Sequence, residues 1–385
     1  MQNEVKRLYR LALIFLVLLF ALTGGAFWGI KTYAGTSQPV EEMTPPPTSI
    51  ETDTVHSTNS VNGSERRLHI RSGESASDYM WIPLEKKIGA DLVTIENHYM
   101  DRQLWVLIGT GDASFYDDAI IEGNCDRVTG GMVEQTESGT VLKFDVDGVF
   151  EYNTLFENNV LYVGFVQPRQ LYDRIVVIDP AGYPKDQVTA RGVGGNAEDK
   201  AVQTGAENGS EENASPLSRD MITLGIAEHL KTQLEQTDIR VYYTRLGNDP
   251  VSDEDRTYLA NAVRADLFIR IEVGSNEDSK VYGTESIYNG SFFIPGFGSV
   301  ELADSLERNV VTAISGKAGG LLEAEEEGCD VIYHATVPAA AIRVGYLTNS
   351  QEAILLGRED YRERIANGIY QSILDCLAIQ NGENE

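Results

Sequence analysis

The sequence predicts an α/β domain, with a mixed sheet flanked by helices, preceded by an all-β domain and an N-terminal membrane-spanning helix. Three observations predict it. Residues 11–30 carry no charge. Residues 68–168 hold short apolar segments separated by turn dipeptides. From residue 173 onward, strand-like and helix-like segments alternate.

The uncharged run reads LALIFLVLLFALTGGAFWGI. At about 1.5 Å per residue, a helix of this length spans roughly 30 Å, one bilayer core. Lys6, Arg7 and Arg10 precede it, opposed only by Glu4. This bias places residues 1–10 in the cytoplasm and the remainder outside it. A cleaved signal peptide is the rival reading, because residues 11–22 are short enough for one. No clear small-x-small cleavage site follows, so an uncleaved signal anchor is expected. Residues 34–66 come next, rich in Ser, Thr and Pro and nearly empty of large apolar residues. Such a segment buries too little surface to fold alone and is expected to be disordered. As a tether it would reach roughly 30 Å on average and about 100 Å when stretched.

Composition excludes several classes. The chain has 385 residues, enough for two domains with extensions. Asp and Glu number 59 against 31 Lys and Arg, for a net charge of −28. Nucleic acid is a poor partner for so acidic a chain. Three Cys are too few for a disulfide scaffold, and five His leave little for a His-rich metal site.

In residues 68–168, Leu92, Thr94 and Glu96 alternate with Val93, Ile95 and Asn97, and 104–108 form an apolar run. Ser138-Gly139 and Asn158-Asn159 mark turns between further apolar segments. A sandwich or barrel-like meander is expected. Cys125 and His98 stand alone and read as structural residues.

The α/β region opens with a continuous apolar strand at 174–178 ending in Asp179-Pro180. Ile222, Ile226, Leu230 and Leu234 recur on one helical face. Strands are expected at 239–244, 267–273 and 339–347, and helices at 255–265, 300–315 and 359–377. Functional side chains belong at the C-terminal ends of such strands. The polar segment 191–218 reads as a surface loop or a lid over the cleft. The acidic run from Glu323 to Glu327 reads as a solvated face.

These segments together resemble the zinc-dependent N-acetylmuramoyl-L-alanine amidases of the amidase-3 type. The likeness rests on IVVIDP at 175–180, ITLGIA at 222–227, Thr244-Arg245, Arg256, Ala260-Asn261, ADLF at 265–268, YGTE at 282–285 and PAAAIRVGYLTN at 338–349. The β region resembles, more faintly, the AMIN modules that accompany such amidases and contact wall material. The resemblance implies an amidase-3-like fold, peptidoglycan or its peptide stems as partner, a zinc ion held by two His and one Glu, and a second Glu as general base. Metal and base together would generate the attacking hydroxide.

All four chemical positions depart from that pattern. Gly182 stands where the first zinc His belongs, Arg219 where the zinc Glu belongs, Glu272 where the second His belongs and Arg343 where the general base belongs. Arginine stays protonated and is no base. Among His56, His69, His98, His229 and His334, no pair has His-x3-His spacing; only His334 has a chance of facing the cleft. The sequence therefore predicts no bound metal, no intact catalytic residue and a pseudoenzyme that binds wall material or a wall-machinery protein. An active amidase and a non-enzymatic envelope scaffold are the alternatives. Arg270 and Glu272 share one strand face. Arg219, Arg270, Glu272 and Arg343 are expected to form a network in the former metal cavity. It would either restore stability or bind an anionic group such as a peptide-stem carboxylate.

Overall fold

A computed structural model describes residues 65–73, 78–182 and 217–380. The expected cytoplasmic segment, the membrane helix at 11–30, nearly all of the 34–66 linker and most of the 191–218 segment lie outside the described residues. Among the described residues, no helix is long and apolar enough to cross a membrane.

The β region is a two-sheet sandwich. Its strands are β1 (Arg66–Arg67), β2 (His69–Ser72), β3 (Tyr79–Pro83), β4 (Val93–His98), β5 (Gln103–Gly109), β6 (Ile120–Gly123), β7 (Val128–Gln135), β8 (Gly139–Val146), β9 (Glu151–Glu157) and β10 (Val160–Val166). One sheet has the order β1-β7-β8-β5-β4 and the other β2-β6-β3-β10-β9. Period-two alternation drives the packing: Leu104, Val106 and Ile108 are buried, while Gln103, Trp105 and Leu107 are only half-buried. The inward residues of both sheets, including Met80, Ile82, Leu142, Phe144 and Val163, form one core. His98 lies on the outer face, stacked on Trp105 and 2.9 Å from Glu96.

A short helix, α1 (Pro168–Leu171), leads into the α/β region. There follow β11 (Ile175–Pro180), α2 (Arg219–Leu234), β12 (Arg240–Tyr243), α3 (Asp253–Ala262), β13 (Leu267–Gly274), β14 (Thr284–Tyr288), α4 (Ser299–Ile314), β15 (Ala318–Glu323), α5 (Ala324–Glu327), α6 (Asp330–Tyr333), β16 (Ala339–Tyr346), α7 (Ser350–Leu356) and α8 (Glu359–Gln380). The sheet order is β12-β11-β13-β16-β14-β15. β12, β11, β13 and β16 are parallel; β14 runs antiparallel to β16, and β15 pairs parallel to β14, so the sheet is mixed.

The two added strands, β14 and β15, escape the periodicity reading. β14 follows a short polar run, and β15 begins Ala-Gly-Gly, with no apolar alternation to mark it. The helices observed at 253–262 and 299–314 start earlier than expected because Ser252 and Gly298 set their first turns. The Ser252 hydroxyl accepts from Asp255 N at 3.0 Å, and the Glu301 carboxylate reaches back to Gly298 N at 2.9 Å.

Each strand splits its residues between two faces. Val176 and Ile178 of β11, Ile269 and Ile271 of β13, and Ala340 and Ile342 of β16 pack into one core with α2, α4 and α8. The intervening residues, Asp179, Arg270, Glu272 and Arg343, fall on the opposite face. That face carries α3, whose Arg256 reaches Asp179, and α6, whose Val331 carbonyl accepts from Thr257 of α3 at 2.9 Å.

The sandwich is joined to the open edge of β12. The Tyr99 hydroxyl donates to the Tyr243 carbonyl at 2.8 Å and accepts from Tyr243 N at 3.0 Å. Glu151 of β9, 1% exposed, accepts from Arg240 Nη2 at 2.7 Å and from the Tyr242 hydroxyl at 2.5 Å. Each is a buried polar group whose partner lies in the other domain.

Candidate functional site

The charged face of the sheet converges at the C-terminal ends of β11, β13 and β16. Asp179, the penultimate residue of β11, is fully buried. Its carboxylate accepts from the Arg256 and Arg270 guanidiniums and from the Thr244 hydroxyl, the last at 2.5 Å. Burial alone would raise the Asp179 pKa. The two guanidiniums and the hydroxyl outweigh it and hold the carboxyl below the usual range. Arg270, 4% exposed, turns its Nε to Glu272 Oε1 at 2.7 Å.

Strand register builds the second half of the cluster. Arg343 on β16 lies directly opposite Glu272 on β13 and Glu285 on β14. Its Nη1 donates to Glu285 Oε2 at 2.7 Å, and its Nη2 lies 3.9 Å from Glu272 Oε2. A third carboxylate, Glu327 of α5, accepts from Nη2 at 3.1 Å. The Tyr346 hydroxyl also donates to Glu285, at 2.6 Å. Burial lowers the Arg343 pKa, but Glu272, Glu285 and Tyr346 overcome it and raise it on balance. Cys329 Sγ lies 3.9 Å from Glu272 Oε1; burial first, and then Glu272, push its thiol up to about 12. It is a neutral thiol near pH 7, not a nucleophile.

Arg270, Glu272 and Arg343 are thus brought together, and Arg219 is not. Arg219 opens α2 and makes no ion pair or hydrogen bond with any described residue of this cluster. Its neighbour Asp220 is engaged instead, accepting from Arg245 Nη2 at 2.8 Å. The Arg245 guanidinium also donates to the Pro180 and Ala181 carbonyls, at 2.9 and 3.3 Å. This pair fills the space beside Gly182. A Cβ built on Gly182 would collide with Arg245 Nη2 and Asp220 Oδ1. The expectation of three guanidiniums against one carboxylate is corrected. Arg270 and Arg343 face Asp179, Glu272, Glu285 and Glu327, because β14 and α5 bring in carboxylates whose placement no local spacing reveals.

The histidines lie apart from this cluster. His334 ends α6, exposed near the N-terminal ends of the strands, where its carbonyl accepts from Asn261. His229 is half-buried within α2, and His69 is exposed on β2. His56 lies outside the described residues. Among the described residues, no group of three or more His, Cys, Asp or Glu side chains is placed to hold a metal ion.

The residues present do not fit a catalytic zinc. Such an ion takes about three N, S or O ligands at roughly 2.0–2.3 Å. Of the four positions that the resemblance assigns to zinc and base, Gly182 has no side chain, two carry guanidiniums and Glu272 is already held by Arg270. The Arg343 guanidinium, 3.9 Å from Glu272, would repel the ion.

Residues 176–375 match the family model described as N-acetylmuramoyl-L-alanine amidase. The uncharacterized protein YqiI of Bacillus subtilis (strain 168) is 28% identical over 179 residues, covering 46% of this chain and 84% of that protein. The germination-specific N-acetylmuramoyl-L-alanine amidase of the same organism is 27% identical over 184 residues, covering 44% and 75%. Among solved structures, the N-acetylmuramoyl-L-alanine amidase from Clostridium difficile 630 is 28% identical. It covers 53% of this chain and 96% of that one, with a TM-score of 0.41.

Proposed function

The chain belongs to the N-acetylmuramoyl-L-alanine amidase family, whose place is the peptidoglycan cell wall, and from that premise we propose that it is a non-hydrolytic member. In this reading it is anchored by residues 11–30, lies outside the cytoplasm and binds wall peptide stems or a wall-machinery protein. The observation that carries it is the fate of the four chemical positions. An Arg245–Asp220 pair fills the space a side chain at 182 would need, and Arg343 stands in the general base's place, paired with Glu285 and Glu327. Loss of metal and base together removes both the nucleophile and its activator. General acid–base help alone contributes typically 10²–10⁴-fold.

Two measurements on the purified full chain test this. Metal analysis is expected to find no stoichiometric zinc, and incubation with peptidoglycan no release of L-alanine-bearing peptides. Stoichiometric zinc with peptide release would establish an active amidase instead. Sedimentation with purified sacculi separates wall binding from a pure scaffold role: the chain is expected to pellet with the wall. If it stays in the supernatant, a protein partner is favoured over the wall.

A further inference from the structure

We propose that Arg343 is the seat of an exchangeable carboxylate, occupied at rest by the chain's own Glu327, and that the peptide stem's free carboxylate takes that place on binding. The proposal rests on the wall-binding reading above and specifies its contact.

The three carboxylates on Arg343 are not equivalent. Glu272 and Glu285 belong to the neighbouring strands and are fixed opposite Arg343 by register. Glu285 is further tied by Tyr346, and Glu272 by Arg270. Glu327 comes from α5, a single helical turn in the connection between β15 and β16. It is 30% exposed, against 17–18% for the other two. Its one ion pair among the described residues is with Arg343 Nη2. Gly328, which follows it, has φ +64, a left-handed conformation that glycine adopts without strain and that ends the turn.

The remaining donors nearby are committed. Arg270 is 4% exposed and spent on Asp179 and Glu272. Arg343 is the partly exposed guanidinium of the cluster, at 16%, and its Nη2 contact with Glu327 is exposed where its Nη1 contact with Glu285 is half-buried. A guanidinium favours carboxylates through paired N–H donors. An incoming carboxylate would reproduce the contact that Glu327 makes and release Glu327 to water, where a carboxylate is well solvated. No bond is made or broken, and the net charge on Arg343's surroundings is unchanged by the exchange.

The test is calorimetric titration of the full chain with Nα-acetyl-D-alanyl-D-alanine, and with its C-terminal amide as the uncharged control. Glu327→Gln is expected to tighten binding of the free acid by roughly fivefold, the upper worth of an exposed ion pair. Glu326→Gln, on the same turn but not paired with Arg343, removes the same charge and is expected to leave affinity unchanged. Adding Arg343→Lys to Glu327→Gln is expected to abolish the gain, and the amide is expected to bind neither protein. The seat is refuted if Glu327→Gln binds no better than wild type, if Glu326→Gln gives the same gain, or if the amide binds as well as the acid. Sacculus sedimentation runs alongside. Wild type pelleting with sacculi while Glu327→Gln fails to tighten the dipeptide rejects the seat alone. A wild type that does not pellet rejects the wall-binding reading itself.

Discussion

Asp179 sets the character of the charged face at the scale of single residues. A carboxylate with no solvent exposure is tolerated only when paired and fully hydrogen-bonded, and here two arginines and a threonine supply the partners. Asp179→Asn leaves the buried Arg256 and Arg270 without their shared counter-charge. It is expected to lower stability by about 3–5 kcal/mol in a denaturant titration, the usual consequence of breaking a buried pair. The pH dependence has a definite sign. The Asp179 carboxyl is held below its ordinary value, near 3.8, so its stabilising contribution is fully present above that value. It is lost as pH falls through the lower folded-state value. Wild type should therefore lose stability below about pH 4 more steeply than Asp179→Asn, which thermal melts across pH 2–6 would record. Gly182 offers a second residue-scale test. Gly182→His must displace the Arg245–Asp220 pair to fit, so its melting temperature should fall and zinc uptake should remain nil. Uptake of zinc by that single variant would refute the reading that the pair has closed the ligand's place.

The charges are delivered by whole elements. β13, β16 and β14 place Glu272, Arg343 and Glu285 in a row because their registers put these three positions side by side on one face. A slip of one residue in β14 would turn Glu285 to the other face. Helix α3 delivers Arg256, and its start depends on the Ser252 cap. Ser252→Ala should cost about 1 kcal/mol, measurable by chemical denaturation, with increased hydrogen exchange confined to the first turn of α3. A change of that size without local exchange would place the effect elsewhere.

The sandwich and the α/β region are built into one another across the whole molecule. Tyr99 satisfies the edge of β12 with one hydroxyl, acting as donor to Tyr243 O and acceptor from Tyr243 N. Burial first of all pushes that phenol's pKa up to about 12, so it stays protonated and able to donate throughout the neutral range. Glu151 and Arg240 form a buried pair with one partner from each region. The sandwich is therefore a fixed brace on β12, the neighbour of the strand that carries Asp179. The full chain is expected to show one calorimetric transition for residues 65–380. Tyr99→Phe should shift that transition down by about 1–3 kcal/mol while leaving it single, because two buried backbone groups lose their partner. Two resolved transitions in wild type would mean that the regions unfold independently.

Much of this protein was legible in residue order alone. Hydrophobic periodicity marked the sandwich region and most strands and helices of the α/β region, because burial on one face leaves a period that a linear reading detects. The family likeness likewise lay in local strings such as IVVIDP and PAAAIRVGYLTN, and from it came the expectation placed on Gly182, Arg219, Glu272 and Arg343. The partners of those residues were not legible. Glu285 and Glu327 meet Arg343 across separations of 58 and 16 residues, and Asp220 rather than Arg219 turned out to be engaged. Strand register and the path of α5 decide those encounters. Local spacing carries no record of them, because a charge's partner is set by which chains lie side by side in the folded sheet. The sequence by itself determined the family likeness, and with it the expectation that the hydrolytic side chains are replaced. Only the tertiary structure decided that carboxylates, and not an open cationic pocket, surround Arg270 and Arg343, because strand register and the path of α5 bring Asp179, Glu272, Glu285 and Glu327 to them.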